Sequence, residues 1–439
     1  MLELSSRRTR LAFGCASLLA YTSVAGAAFL EQQRTANKAP RVAEQSPPAK
    51  PATPPLRQPA VRPQPPSAQP KPFQPAPMPV FSVEKFGDEI AKVVDPNVVG
   101  WAYSIAHQKG KMAKEGAGGD ARTKIDGQRS HSPTQRQNVA SVSKIVTAAA
   151  TMQLLDKLKL SVDAQVSPFL VGYPLGPNMT DLTFSDVMRH CTGITSTKFN
   201  SVDLLKYETV ISYIKAGVPK RPGPGLDRTC AYDNMNYALL RLIIPQMWAK
   251  TGADLTAEAV GMYGQLPEMP LGHPDLAGNW TAYTYIAYVQ KNVFAPIGVK
   301  NPLCSDQSAT QTLYYSPEGD KPGEKSFNND WTRACGSGGW YLSARDLTTL
   351  MTHLFHSEKV ISKEMRKEMV GRWLGMEKPW KTTMGSGYSK DGSVGPGIVA
   401  CVMHLPIDVE ASLVMNSGTK NKRSACSMLK SAYEAAWVG

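Results

Sequence analysis

Ser141 and Lys144 stand three residues apart at the head of Ile145–Leu155, an apolar stretch without a helix breaker. The spacing predicts a buried helix whose first turn carries both side chains on one face, close enough for the amine to take the hydroxyl proton. A capping box would place Glu or Gln at the third helical position, where this chain instead has a cation beside the positive end of the helix dipole. Local helix stability therefore gives no reason for Lys144. Burial and the dipole would both depress its pKa and make it a better base near neutral pH. Because S-x-x-K arises by chance in many helices, the pair needs partners elsewhere in the chain.

Two further segments supply candidates. Cys230–Tyr237 precedes an apolar helix over Ala238–Ile244, and Asn234 or Asn236 would cap it. Tyr232 could act in proton transfer if neighbouring ammonium groups lowered its pKa, and Asn234 could orient the lysine or a substrate amide. Downstream, Met384–Gly395 runs into the strand-like Ile398–Met403. There Lys390 brings positive charge, Gly392 permits close backbone approach, and the amide of Ser393 could face a developing oxyanion. His190, at the end of a short helix capped near Ser185 and ended by Gly193, reads either as a base or as a structural histidine.

Ser141-x-x-Lys144, Tyr232-x-Asn234 and Lys390-x-Gly392, separated by 91 and 158 residues, resemble the three motifs of class C β-lactamases and the related penicillin-recognising DD-peptidases and esterases. His190–Gly193, Gly338–Leu347 and Val293–Gly298 resemble supporting segments of that family, so the resemblance covers roughly residues 82–439. It implies an α/β (α+β) fold, an antiparallel sheet flanked by helices with a mostly helical region inserted over roughly residues 145–300. It also implies an acyl-enzyme on Ser141, with Lys144 and Tyr232 sharing the proton transfers and Asn234, Lys390, Gly392 and Ser393 binding substrate. The amides of Ser141 and Ser393 would form the oxyanion hole. The implied substrate is a β-lactam, a wall peptide of the D-Ala type or a small ester, and no cofactor is needed. Asp391 stands where β-lactamases usually carry a hydroxyl residue, which predicts weaker binding of a β-lactam carboxylate. Residues 252–282 read as an insertion relative to the family. The alternative function is a non-catalytic binding module on the same fold. A Ser-His-Asp hydrolase is disfavoured by the lack of a G-x-S-x-G elbow.

The rest of the chain places this unit. Arg7, Arg8 and Arg10 precede the uncharged run Leu11–Leu30, which reads as a secretory signal or as a membrane anchor occupying residues 1–30. Either reading exports the remainder to the periplasm or beyond, and the second tethers it to the inner membrane. Residues 31–81 read as a disordered linker, with 15 of the 34 prolines between Pro40 and Pro79, and a catalytic unit follows over 82–439. Residues 1–80 carry +7 of the net +13, so the basic charge is largely a property of this extension and gives no reason to expect a nucleic-acid partner. Six cysteines remain after Cys15, and pairing neighbours joins Cys191 to Cys230, Cys304 to Cys335 and Cys401 to Cys426. Neither C-x-x-C nor H-E-x-x-H occurs, so no metal site is expected from sequence, and the oligomeric state stays open.

Overall fold

The central strands are buried on both faces, because successive residues point into two different cores. The computed structural model describes residues 79–194, 207–263, 276–395 and 397–438, nearly all of which fall in the compact unit Phe81–Val438. The expected signal or anchor, and all but the last residues of the linker, lie outside the described residues.

Helix α1 (Val83–Val94) starts at Ser82, whose hydroxyl accepts the Lys85 N–H. Strands β1 (Gly100–His107), β2 (Lys111–Arg122) and β3 (Arg129–Ser130) follow. β1 begins at Gly100, and the Val99 N–H just before it is taken by the Ser417 hydroxyl. Strand β4 (Gln137–Asn138) leads through a 3-10 turn, Ala140–Val142, into helix α2 (Ser143–Lys157). The helical region continues with α3 (Phe184–Met188), α4 (Tyr207–Ala216), α5 (Asn234–Ala249), α6 (Leu255–Tyr263) and α7 (Leu276–Val289). The chain then returns through β5 (Tyr341–Leu342), α8 (Ala344–His356), α9 (Lys363–Gly371), β6 (Trp380–Thr382), β7 (Gly385–Val394), β8 (Ile398–Leu405), β9 (Val409–Met415) and α10 (Ala425–Ala435).

Seven strands form one antiparallel sheet in the order β3-β2-β1-β9-β8-β7-β6. β1 pairs with β9, so the helical region is inserted between the sheet's first and last strands, as expected. Trp101, Tyr103, Ile105, Cys401 and Met403 face α1 and α10. Ala102, Ala400 and Val402 face the larger core, which also takes in α2, α5 and α8. This period-two division decides where each residue of β7 points.

The three disulfides join the cysteines paired by sequence order, Cys191–Cys230, Cys304–Cys335 and Cys401–Cys426. The first ties the end of α3 to the segment before α5, the second anchors the glycine-rich stretch before β5, and the third fastens β8 to α10. Within residues 252–282, α6 and the start of α7 are helical, and 264–275 lie outside the described residues.

Candidate active site

α2 is buried almost all round, from Ser143 to Leu155 with the exception of Gln153, which is the pattern of a helix inside a core. Its polar residues clamp it to the glycine-rich stretch. The Ser143 hydroxyl accepts the Trp340 N–H at 3.1 Å, and the Thr147 hydroxyl donates to the Gly336 carbonyl at 2.7 Å. The Ser337 carbonyl is thereby held against the first turn of α2, where it accepts from Lys144 Nζ at 2.5 Å. Ser141 is not in that α-helical turn. It sits on the preceding 3-10 turn, which Ala140 enters with φ 45° while its N–H donates to Asn138 Oδ1 at 2.7 Å. The turn leaves Ser141 partly open to solvent and Lys144 fully buried beneath it.

Lys144 Nζ also donates to Ser141 Oγ at 3.0 Å and to Asn234 Oδ1 at 2.7 Å. Three acceptors therefore meet one amine. Burial, reinforced by the positive charge of Lys390, pushes its pKa well below the ordinary lysine value despite the opposing influence of Glu377 and Asp233. In its neutral form the amine would keep N–H bonds to the Ser337 carbonyl and Asn234 Oδ1 and offer its lone pair to the Ser141 hydroxyl.

α5 begins at Asn234, and its cap is Asp233, whose carboxylate accepts the Met235 N–H at 2.8 Å. Neither Asn234 nor Asn236 serves as the cap, so Asn234 is left to bridge Lys144 and Tyr232. The Tyr232 hydroxyl lies 2.5 Å from Ser141 Oγ and 3.3 Å from Asn234 Oδ1. The residue is 54% exposed, but its hydroxyl is aimed inward. Burial at that end raises the phenol to about 12, the opposite of the lowering that nearby ammonium groups would give. At neutral pH Tyr232 is thus a protonated hydrogen-bond donor. His190 packs on the Tyr232 ring with centroids 4.6 Å apart and accepts the Asp233 N–H through Nδ1. Burial and the charges of Lys144 and Lys390 lower its pKa to about 3, so it is neutral and positions the loop. The α3 helix beside it is capped by Thr183, not Ser185, in a capping box with Asp186.

Along β7, Lys390 and Gly392 oppose Val402 and Ala400, while Asp391 opposes Cys401. Lys390 and Gly392 therefore turn toward the cleft and Asp391 toward α10. The Asp391 carboxylate accepts the Gly392 N–H at 3.1 Å, and Ser424, the cap of α10, hydrogen-bonds to it as well. Its interference with a substrate carboxylate, expected from sequence, has no basis in this orientation. A methyl group added to Gly392 would lie 2.5 Å from the Val139 carbonyl oxygen and 3.2 Å from the Ser141 nitrogen. Only glycine lets β7 come this close to the Ser141 turn. Ser393 follows it, exposed at the strand end.

A cleft of roughly 670 Å3 opens beside these groups and is lined in part by His190, Tyr232, Trp373, Glu377 and Lys390. Lys390 Nζ donates to Glu377 Oε1 at 2.5 Å and lies 5.2 Å from the Tyr232 ring centroid. Of the three other cations on the rim among the described residues, Lys378 lies over the Trp373 ring and the two arginines are ion-paired. Arg189 holds Asp227 through two hydrogen bonds, and Arg372 holds Asp163 in the same way.

Residues 88–252 match the family model Beta-lactamase. Solved structures align over most of the chain. The octameric penicillin-binding protein homologue from Pyrococcus abyssi is 18% identical with a TM-score of 0.56, over 79% of this chain and 74% of that one. The β-lactamase/D-alanine carboxypeptidase from Pseudomonas syringae is 16% identical with a TM-score of 0.56, over 80% and 97%. The chain has the β-lactamase/transpeptidase fold. A D-stereospecific amidohydrolase from Streptomyces sp. shares this fold at 15% identity and a TM-score of 0.56, covering 80% of this chain and 98% of that one.

On this β-lactamase/transpeptidase fold, Ser141, Lys144, Tyr232 and Asn234 meet in one hydrogen-bonded cluster, with Lys390 and Gly392 alongside. Sequence reasoning missed two contributors. The Ser337 carbonyl lies just before the Gly338–Leu347 segment already singled out, and a backbone acceptor has no residue-type signature. Glu377 reaches Lys390 from the segment between α9 and β6, which carries no motif.

Proposed function

We propose that this chain is an exported serine hydrolase that forms an acyl-enzyme through Ser141. The observation that carries the reading is the Ser141–Lys144–Tyr232 cluster, in which a buried lysine of depressed pKa and a protonated phenol both reach one hydroxyl. Neutral Lys144 takes the Ser141 proton as Oγ attacks the substrate carbonyl. The amides of Ser141 and Ser393 hold the resulting oxyanion, with Asn234, Lys390 and Gly392 as the substrate-binding groups. Tyr232, protonated at neutral pH, donates to the departing alkoxide or amine, and Lys144 replenishes it. Water then resolves the acyl-enzyme by the reverse sequence of proton transfers.

The preferred substrate is a neutral or cationic ester or amide rather than one with a free carboxylate. Lys390, which would attract an anionic group, is already paired with Glu377, and Arg189 and Arg372 on the rim are paired too. A substrate carboxylate would have to displace Glu377 and face its charge. The reading is tested by kcat/KM for a neutral p-nitrophenyl ester, a D-Ala-D-Ala peptide and a penicillin, in wild type and Ser141→Ala. The expected order is ester ahead of both anionic substrates, with every activity lost in Ser141→Ala. Activity that survives in the variant would refute the mechanism, and no activity on any substrate would favour the binding-module alternative.

A further inference from the structure

The sheet face that carries Lys390 holds a second cluster of chemistry-bearing side chains, at the end of α8 and on the β8–β9 hairpin. Glu410 on β9 stands cross-strand from His404 on β8, so both project from one face, and α8 ends at His356 beside them. Oε1 of Glu410 lies 2.7 Å from His356 Nε2 and 2.7 Å from His404 Nδ1. One candidate ligand atom from each residue falls within 4.8 Å of the other two.

Glu410 is fully buried, and its second oxygen, Oε2, has no hydrogen-bond partner among the described residues. Burying a carboxylate is costly unless its lone pairs are satisfied, and two imidazole N–H groups on Oε1 leave Oε2 unanswered. An ion bound by both imidazoles and one carboxylate oxygen would leave its coordinated water to donate to the other. The rings are also held in place. His404 stacks on Phe355 with centroids 3.8 Å and planes 9° apart, and His356 presents Nδ1 to Asp408 Oδ1 at 4.0 Å. A carboxylate behind the second ring nitrogen is the usual means of orienting a metal-ligating histidine. Arg366 does not compete for Glu410, since its guanidinium donates to the carbonyls of Leu354 and Ser357. The His356 and His404 side chains remain 11% and 20% exposed, which leaves a path for an ion and its water. Tetrahedral zinc with bonds of about 2.0–2.1 Å needs ligand atoms about 3.3 Å apart, so the present contacts would open by roughly half an ångström.

We propose that His356, His404 and Glu410 bind one borderline divalent transition-metal ion of the zinc class, with water completing the coordination, and that the ion clips the end of α8 to the β8–β9 hairpin. The ligands lie 54 and 6 residues from Glu410, across a helix end and a hairpin, so no sequence motif announces them. Two imidazoles and a carboxylate suit zinc and its neighbours better than calcium or magnesium.

The test uses the full chain without a polyhistidine tag, stripped with a chelator and titrated with Zn(II) by calorimetry and thermal melting. Binding of one equivalent with a rise in Tm is expected. His356→Ala and His404→Ala should each weaken binding by roughly 100-fold or more, while His353→Ala, on α8 but outside the cluster, should not. A parallel Co(II) titration of the wild type keeps the proposal testable if the alanine variants do not fold. Intense visible bands of a four- or five-coordinate site support it, and the weak spectrum of hydrated Co(II) overturns it. Absence of stoichiometric zinc binding by the wild type, or zinc affinity unchanged in His404→Ala, also overturns it.

Discussion

The chemistry of the cluster rests on one amine, and its protonation is set by neighbours that can be removed singly. Lys144 is pushed toward the neutral form by burial first and by the Lys390 charge second, while Glu377 and Asp233 oppose both. Replacing Lys390 with methionine deletes the second of these influences and releases Glu377, which favours the ammonium. Both changes raise the Lys144 pKa. Since acylation needs the neutral amine, kcat/KM for a neutral ester should climb as pH rises through that pKa, and Lys390→Met should move the climb to higher pH. An unshifted limb would remove Lys144 as the base. The groups of this cluster were legible in sequence through the resemblance of three short motifs to those of a known family. The direction of the Tyr232 shift was not, because it depends on how deeply the hydroxyl end is inserted, which residue type does not report.

At the level of elements, the site is a junction between the Ser141 turn and β7, and strand alternation decides what β7 offers. The sequence reading expected the strand and the close approach of Gly392, but placed Asp391 in the cleft. Pairing of Asp391 with Cys401 turns it to the α10 face, a consequence of register that only the sheet reveals. The close approach itself leads to a sharp expectation. In Gly392→Ala the new methyl group would press on the Val139 carbonyl and the Ser141 nitrogen, forcing the turn and strand apart. Acylation should fall by at least about 100-fold, since a 1 Å misplacement can cost that much, while the Tm changes little in comparison. Activity within a few-fold of wild type, measured by ester hydrolysis, would show that the turn does not depend on this contact. Sequence also placed Ser141 inside the α-helix, where the 3-10 turn stands instead. The left-handed Ala140 and its Asn138 hydrogen bond create that turn, and neither leaves a periodic signal.

For the whole molecule, three disulfides among the described residues suit an oxidising compartment. No helix among the described residues is long and apolar enough to cross a membrane, so the anchor reading rests on residues 11–30 alone. Pairing neighbours in sequence gave the observed connectivity because each bridge closes a short loop between elements that already pack together. Cys401–Cys426 closes a separation of 25 residues, and removing it as the double alanine variant should lower the unfolding free energy by about 3 kcal/mol. Urea denaturation under non-reducing conditions measures this, and an unchanged midpoint would mean that the bridge does not contribute in solution. The antiparallel sheet and helical insertion were legible only as what the family resemblance implied. The His356–His404–Glu410 cluster was not, since it exists only once β8, β9 and the end of α8 are assembled.

The central claim is that Ser141 carries the acyl group, and locating that group tests it most directly. Full-length protein is quenched in acid during turnover of a fluorescent penicillin or an activated ester, and its peptides are mapped by mass spectrometry. The account predicts one acyl adduct on Ser141, absent from Ser141→Ala and strongly reduced in Lys144→Met. An adduct on another residue, or one that persists in Ser141→Ala, would contradict it.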